Sequence, residues 1–158
     1  MTDRSAYEAA RVFSGRLRQA AARADLPPEF NEIGMPASFT IDVARRTVFS
    51  RGWGVLVDDD LRQTQQGVRE APGFEPDFSQ LYDFSAVTDI QVTQDALWGM
   101  VGNSPFGMRA RRAVVVDSEV AFGVGRMYQQ MSGREYATFR IFRDRESALR
   151  WLEDNRAE

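Results

Sequence analysis

The chain contains no cysteine and no histidine, and all 20 of its basic residues are arginine, so lysine is missing as well. Without cysteine there are no disulfides, no thiolate chemistry and no sulfur-ligated metal. Without histidine the chain lacks the commonest general base and zinc ligand, and every Ser-His or Cys-His catalytic arrangement. Without lysine there is no Schiff-base chemistry and no phosphate-binding loop of the type that requires that residue. No run approaches the ~20 consecutive apolar residues that cross a bilayer, and the N-terminus has no apolar core of a secretory signal, so a cytoplasmic location is expected. The formal charge of −3 and pI near 5.1 argue against nucleic acid as a partner, because such binders carry clustered basic charge.

What remains is an ordinary globular mixture. The chain has 158 residues, 43% hydrophobic and 27% charged, which suits one folded domain rather than a disordered chain. The first 25 residues hold five arginines against three acids, while the rest hold 15 against 20. Residues 5–24 repeat Ala6, Ala9, Ala10, Phe13, Leu17, Ala20 and Ala24 at helical spacing, with arginines between them. Pro27 and Pro28 stop that helix, and a linker follows. The expected organisation is therefore an N-terminal helical arm and linker over 1–37 and an α/β domain over 38–158.

Within the domain, Phe39, Ile41 and Val43 alternate with polar residues, and Thr47 to Trp53 resumes after Arg45-Arg46, which predicts a hairpin. Gly52 and Gly54 around Trp53 predict a bulge or a close backbone approach. Asp58-Asp59-Asp60 opens a helix that Pro72-Gly73 ends. Phe78 to Phe84 reads as a strand and Thr93 as the cap of the next helix, with Gly102 to Met108 a loop. Arg112-Ala-Val-Val-Val116 has the unbroken apolar pattern of a strand covered on both faces. Asp117-Ser118 starts a helix whose expected buried stripe is Val120, Ala121, Val124, Met127, Tyr128 and Met131, ended by Gly133. Glu135 to Phe142 reads as a strand, and Asp144 caps a last helix with Glu146 and Arg150 as an i,i+4 pair. The order β-β-α-β-α-β-α-β-α predicts an α/β fold with a mixed, mostly parallel five-stranded sheet.

This pattern resembles the SpoIIAA-like family, relatives of the STAS domains and of the anti-sigma-factor antagonists, over about residues 38–153. The resemblance rests on the hairpin before the Asp-led helix, on Leu81-Tyr-Asp-Phe-Ser-Ala-Val-Thr-Asp-Ile90, on the run from Arg112 to Tyr128, and on Phe142-Arg-Asp-Arg-Glu-Ser-Ala-Leu-Arg-Trp-Leu152. It implies a module that binds partners or small ligands and has no catalytic residues of its own. In the antagonists an Asp-Ser-Ser-Gly run carrying a phosphorylatable serine starts the helix after the third strand. Here that place reads Gln91-Val92-Thr93-Gln94, so Val92 stands at the acceptor position and Thr93 is a displaced candidate.

The expected working surface is the carboxyl edge of the sheet, where open α/β folds bind ligands. It comprises Asp83, Ser85, Thr88, Asp89, Thr93, Asp117 and Ser118. Ser85, Thr88 and Thr93 form a hydroxyl-rich loop whose phosphorylation would switch a partner surface, or which does ordinary turn and cap work. Asp83 and Asp117 either hold Mg²⁺ as the core of a hydrolase or simply end strands and cap helices, and the spacing favours the second reading. Gly123-Val-Gly125 lies inside a helix pattern and reads as close packing, not as a dinucleotide fingerprint. Gly102 to Gly107 reads as a plain connection before an anion cradle. Trp53, Trp98, Tyr128 and Trp151 with the six methionines are core, or the lining of an apolar pocket. No metal and no cofactor are expected. The first expectation is a non-enzymatic module, dimeric with itself, that contacts a protein partner. The alternative is a carrier or sensor of a small apolar or lipid-like ligand.

Overall fold

The computed structural model of the chain describes residues 37–135 and 137–154. The expected arm helix lies outside the described residues. The strands are β1 (Ala37–Asp42), β2 (Thr47–Val57), β3 (Ser79–Gln91), β4 (Arg112–Val115) and β5 (Phe139–Phe142). The helices are α1 (Asp58–Glu70), α2 (Gln94–Gly102), α3 (Glu119–Ser132) and α4 (Arg145–Asp154). The five strands form one sheet in the order β1-β2-β3-β4-β5, antiparallel between β1 and β2 and parallel thereafter. This is the expected mixed α/β architecture. No helix among the described residues is long and apolar enough to cross a membrane.

Local chemistry starts and stops most elements. The β1–β2 turn is held by the Asp42 carboxylate, which accepts from the Arg45 N–H at 2.9 Å, with Arg46 in the left-handed region at φ 49°. In α1 the Asp60 carboxylate accepts the Val57 N–H at 2.8 Å, and the acidic first turn complements the helix dipole. Burial of Asp60 still raises its pKa above the ordinary carboxylate value. Thr93 and Ser118 cap α2 and α3, each accepting a backbone N–H three residues on at 3.1 Å. Gly133 ends α3 with φ 66°, a conformation that disfavours a side chain. Asp144 accepts from the Ser147 N–H at 2.8 Å and so starts α4.

Because every parallel crossover steps in the same direction, α1, α2 and α3 share one face of the sheet. They pack on Val48, Tyr82, Val114, Val116 and Phe139. The alternate residues Phe49, Leu81, Ala113, Val115 and Phe142 point to the other face, where α4 covers them with Ala148 and Leu152.

Three expectations change. Both long strands overrun their predicted ends: β2 reaches Val57 and β3 reaches Gln91. Their extensions pair with each other, Trp53 opposite Ala86 and Val57 opposite Gln91. Ser85, Thr88 and Asp89 therefore stand in a strand and not in a loop: Asp89 pairs with Val55, and the paired residues on either side hold Ser85 and Thr88 in the strand. Second, the buried face of α3 is turned from the expected stripe: Ala121 and Tyr128 are buried, whereas Val120 and Met127 are exposed. Gly125 lies on the buried side, and a Cβ there would come within 3.0 Å of Ile141 Cδ1. That confirms close packing for Gly125, while Gly123 faces open space. Third, β5 is shorter than Glu135 to Phe142.

The expected irregularity around Trp53 is present. Phe84 and Ser85 of β3 stand against Gly52 alone, and Thr88 has no partner between Val87 and Asp89. Gly54 takes φ 63°, and a Cβ on Gly52 would lie 3.2 Å from the Phe84 ring.

Candidate functional site

At the carboxyl edge β4 pairs no further than Val115 opposite Asp83, so β2 and β3 continue past it as a two-stranded ribbon. Val55 and Val57 are 46% and 36% exposed on that ribbon. Thr88 and Asp89 are exposed beside them. The Asp89 carboxylate accepts from Ile90 N–H at 2.9 Å and from Gln91 Nε2 at 3.0 Å.

Asp83, expected to end a strand, lies within β3, whereas Asp117 does follow the end of β4. Asp83 is buried beneath the start of α4. One carboxylate oxygen accepts from Ser85 N–H at 2.9 Å and from Ser85 Oγ at 2.6 Å, and the other lies 3.5 Å from Arg145 Nη1. Asp117 is exposed, two residues beyond the register partner of Asp83, and Ser118 next to it spends its hydroxyl on the α3 cap. No cluster of three metal-capable side chains occurs among the described residues.

Thr93 does more than cap. Its N–H and its hydroxyl both donate to the Asp58 carboxylate at 2.7 Å, tying the start of α2 to the start of α1. Between the two helices runs a polar surface groove of about 510 Å³, bordered by Asp58, Arg62, Gln65, Arg69, Thr93 and Asn103. Gln65 Nε2 donates to the Met100 carbonyl at 2.9 Å and Arg69 donates to the Asn103 carbonyl, so the groove walls are cross-linked.

Beneath α2, between the sheet and the three helices, lies a cavity of about 70 Å³. Leu56, Leu61, Phe84, Leu97, Met100 and Val124 contribute to a lining that is apolar except at Tyr82, Arg112 and Tyr128. Of the aromatic residues proposed as pocket lining, Tyr128 is there, whereas Trp53, Trp98 and Trp151 are not.

Apart from Tyr128, the polar groups around this cavity were not foreseen. Arg112 is 6% exposed. Its Nε donates to Gln80 Oε1 at 2.9 Å and its Nη1 to Tyr128 Oη at 2.6 Å, and Gln80 Nε2 donates on to Ser50 Oγ at 3.1 Å. The guanidinium stands near the rings of Phe106, Tyr128 and Phe139, which offset part of its lost hydration. Arg134, also buried, donates to the carbonyls of Ala110, Phe106 and Gly107 at 3.1–3.2 Å. Burial, with the nearby Arg112 charge, lowers the Arg134 pKa to about 10. Neither guanidinium pairs with a carboxylate among the described residues. The Tyr82 hydroxyl is buried without a hydrogen bond of ordinary geometry, although the Thr64 hydroxyl and the Asp60 carboxylate are near it, and burial raises its pKa above the usual phenol range. The only sequence signal was an arginine opening an apolar strand, and strand-flanking arginines are common. It takes the register Gln80 opposite Arg112 to show that the charge points inward.

No family model and no curated protein matches the chain. Among solved structures, the chain is similar to an uncharacterized protein of the DUF3478 family with a SpoIIAA-like fold, from Shewanella loihica PV-4. The two share 20% identity and a TM-score of 0.50, over 73% of this chain and 93% of that one.

Proposed function

Taking the SpoIIAA-like fold of the chain as the premise, we propose that the protein is a non-enzymatic binding module that acts through protein contacts at the carboxyl edge of its sheet. The β2–β3 ribbon carries this reading. It projects exposed Val55 and Val57, with Asp89 paired opposite Val55, Asp58 and Asp59 following Val57, and Asp117 and Glu119 following β4 on the same edge of the sheet. The partner that fits is a protein with an apolar patch rimmed by lysine or arginine. The valines supply burial energy and the carboxylates supply register and a salt-dependent encounter rate. Phosphorylation of Thr93 would place a dianion against Asp58 and loosen the α1–α2 clamp, which gives the surface a switch. A homodimer belongs to the same reading, with Trp98, Val120 and Met127 as exposed apolar residues on α2 and α3.

The test is affinity capture with wild-type chain and with the double variant Val55→Asp, Val57→Asp, followed by binding measurements on the captured protein at two salt concentrations. The expected result is a partner that loses at least about tenfold in affinity to the variant and weakens with salt. A partner held equally by both chains sinks the reading. Native mass spectrometry of the purified chain reads the subunit count.

The second reading, a carrier or sensor of a small ligand, is favoured by the cavity beneath α2. At about 70 Å³ it lies well below the ~300–1,000 Å³ of drug-sized sites, so its ligand is small and not a lipid chain.

A further inference from the structure

We propose that the cavity beneath α2 is a binding site for a short-chain carboxylate, held at its charged end by Arg112 and Tyr82. The inference deepens the carrier reading and rests on it.

Three observations converge. The cavity lies between the sheet and three helices, and its lining is apolar apart from Tyr82, Arg112 and Tyr128. The Tyr82 hydroxyl, on a residue 5% exposed, makes no hydrogen bond of ordinary geometry and has only the Thr64 hydroxyl as a nearby alternative to a ligand. Arg112 gives Nε and Nη1 to neutral acceptors, while its Nη2 makes no hydrogen bond among the described residues. A buried cation without a counter-ion is costly, and so is a buried hydroxyl without a bond. Arg134, a second buried cation near the first, adds to the positive field around Arg112, which the Asp60 carboxylate offsets in part at the Tyr82 end.

The chemistry that relieves all of this at once is a carboxylate. One oxygen would take the free Arg112 Nη2 donors and the other the Tyr82 hydroxyl, with the apolar tail lying among Leu97, Met100 and Val124. A neutral molecule of the same shape would leave the guanidinium without a counter-charge. A bare phosphate or sulfate would leave the apolar wall empty. The volume sets the length. A cavity of roughly 150 Å³ admits benzene, and this one is about half that size, so the acid has about two to four carbons.

The experiment uses the full chain labelled with ¹³C at its methionine methyls and two probes of matched length, sodium butyrate and n-butanol. The expected result is a saturable shift of the Met100 methyl with butyrate, binding at least about tenfold tighter than butanol. Tyr82→Phe, which removes one oxygen and keeps the ring, should weaken butyrate by about tenfold, the cost of one hydrogen bond to a charged group. Butanol binding as tightly as butyrate overturns the carboxylate assignment and leaves the carrier reading standing. Undiminished butyrate binding in Tyr82→Phe also overturns it. A Met100 methyl unmoved by either probe sinks both the inference and the carrier reading.

Discussion

Replacing Gly67 by alanine sets two opposed effects against each other on one helix. Alanine is favoured over glycine in a helix interior by about 1 kcal/mol, so the local effect is stabilising. The tertiary effect runs the other way. A Cβ at Gly67 would lie 2.6 Å from Phe39 Cε1 and 3.1 Å from Cζ, distances that force the ring to move. Phe39 is 7% exposed and packed among Val48, Val68 and Ala71, so it has little room to withdraw. Overpacking of this kind costs about 1–3 kcal/mol, and the contact is tight enough to place the cost in the upper half of that range. The net expectation is a loss of about 1–2 kcal/mol. Gly123→Ala is the matched control, because a Cβ there meets nothing within 4 Å. It should gain about 0.5–1 kcal/mol, which puts the two variants about 1.5–3 kcal/mol apart. Urea unfolding at 25 °C followed by tryptophan fluorescence, with unchanged m-values, measures both. A Gly67→Ala protein as stable as Gly123→Ala would refute the packing of α1 on β1 through Phe39.

Other consequences follow from single contacts. Thr93→Ala removes the α2 cap and the hydroxyl's hydrogen bond to Asp58, leaves the backbone N–H bond to Asp58 in place, and should cost about 1 kcal/mol in the same urea assay. Tyr82→Phe deletes a hydroxyl that makes no hydrogen bond of ordinary geometry, so stability in the absence of ligand should be unchanged or higher by up to about 1 kcal/mol; a clear loss would mean the hydroxyl is bonded. The Ser147 N–H and hydroxyl hold the Asp144 carboxyl below its ordinary value. Because the folded pKa is the lower one, this contribution is present above the unfolded pKa of about 4 and is lost as pH falls through the folded value. Acid unfolding of wild-type chain and Asp144→Asn should therefore converge at the lowest pH and separate above about pH 4, with wild type the more stable.

Much of the fold was legible along the chain because its signals act over a few residues. Thr93, Ser118 and Asp144 bond backbone groups three positions on. Pro72-Gly73 sits just past the end of α1 and Gly133 just past the end of α3. The alternation of strand and helix then implied right-handed crossovers and a parallel sheet with one antiparallel edge. The candidate site was legible only in part. Thr93 and Ser118 were found as caps. The stretch from Ser85 to Gln91 reads as loop from its polar residues, yet it is strand because Trp53 to Val57 lies alongside and takes up its backbone groups.

Sequence by itself determined the order of elements, their caps and the choice of α/β class, because backbone hydrogen bonding and helical or strand periodicity are local properties. Only the tertiary structure decided which side of α3 is buried, since Ala121 and Val120 serve a helical stripe equally well until Ile141 comes to lie against Gly125. It alone decided that Arg112 turns inward to Gln80 and Tyr128, and that the Tyr82 hydroxyl is left without a hydrogen bond of ordinary geometry beside a cavity. Those outcomes depend on residues far apart in the chain meeting at one place, and the cost of burying a charge or an unbonded hydroxyl arises only once the surrounding water is gone.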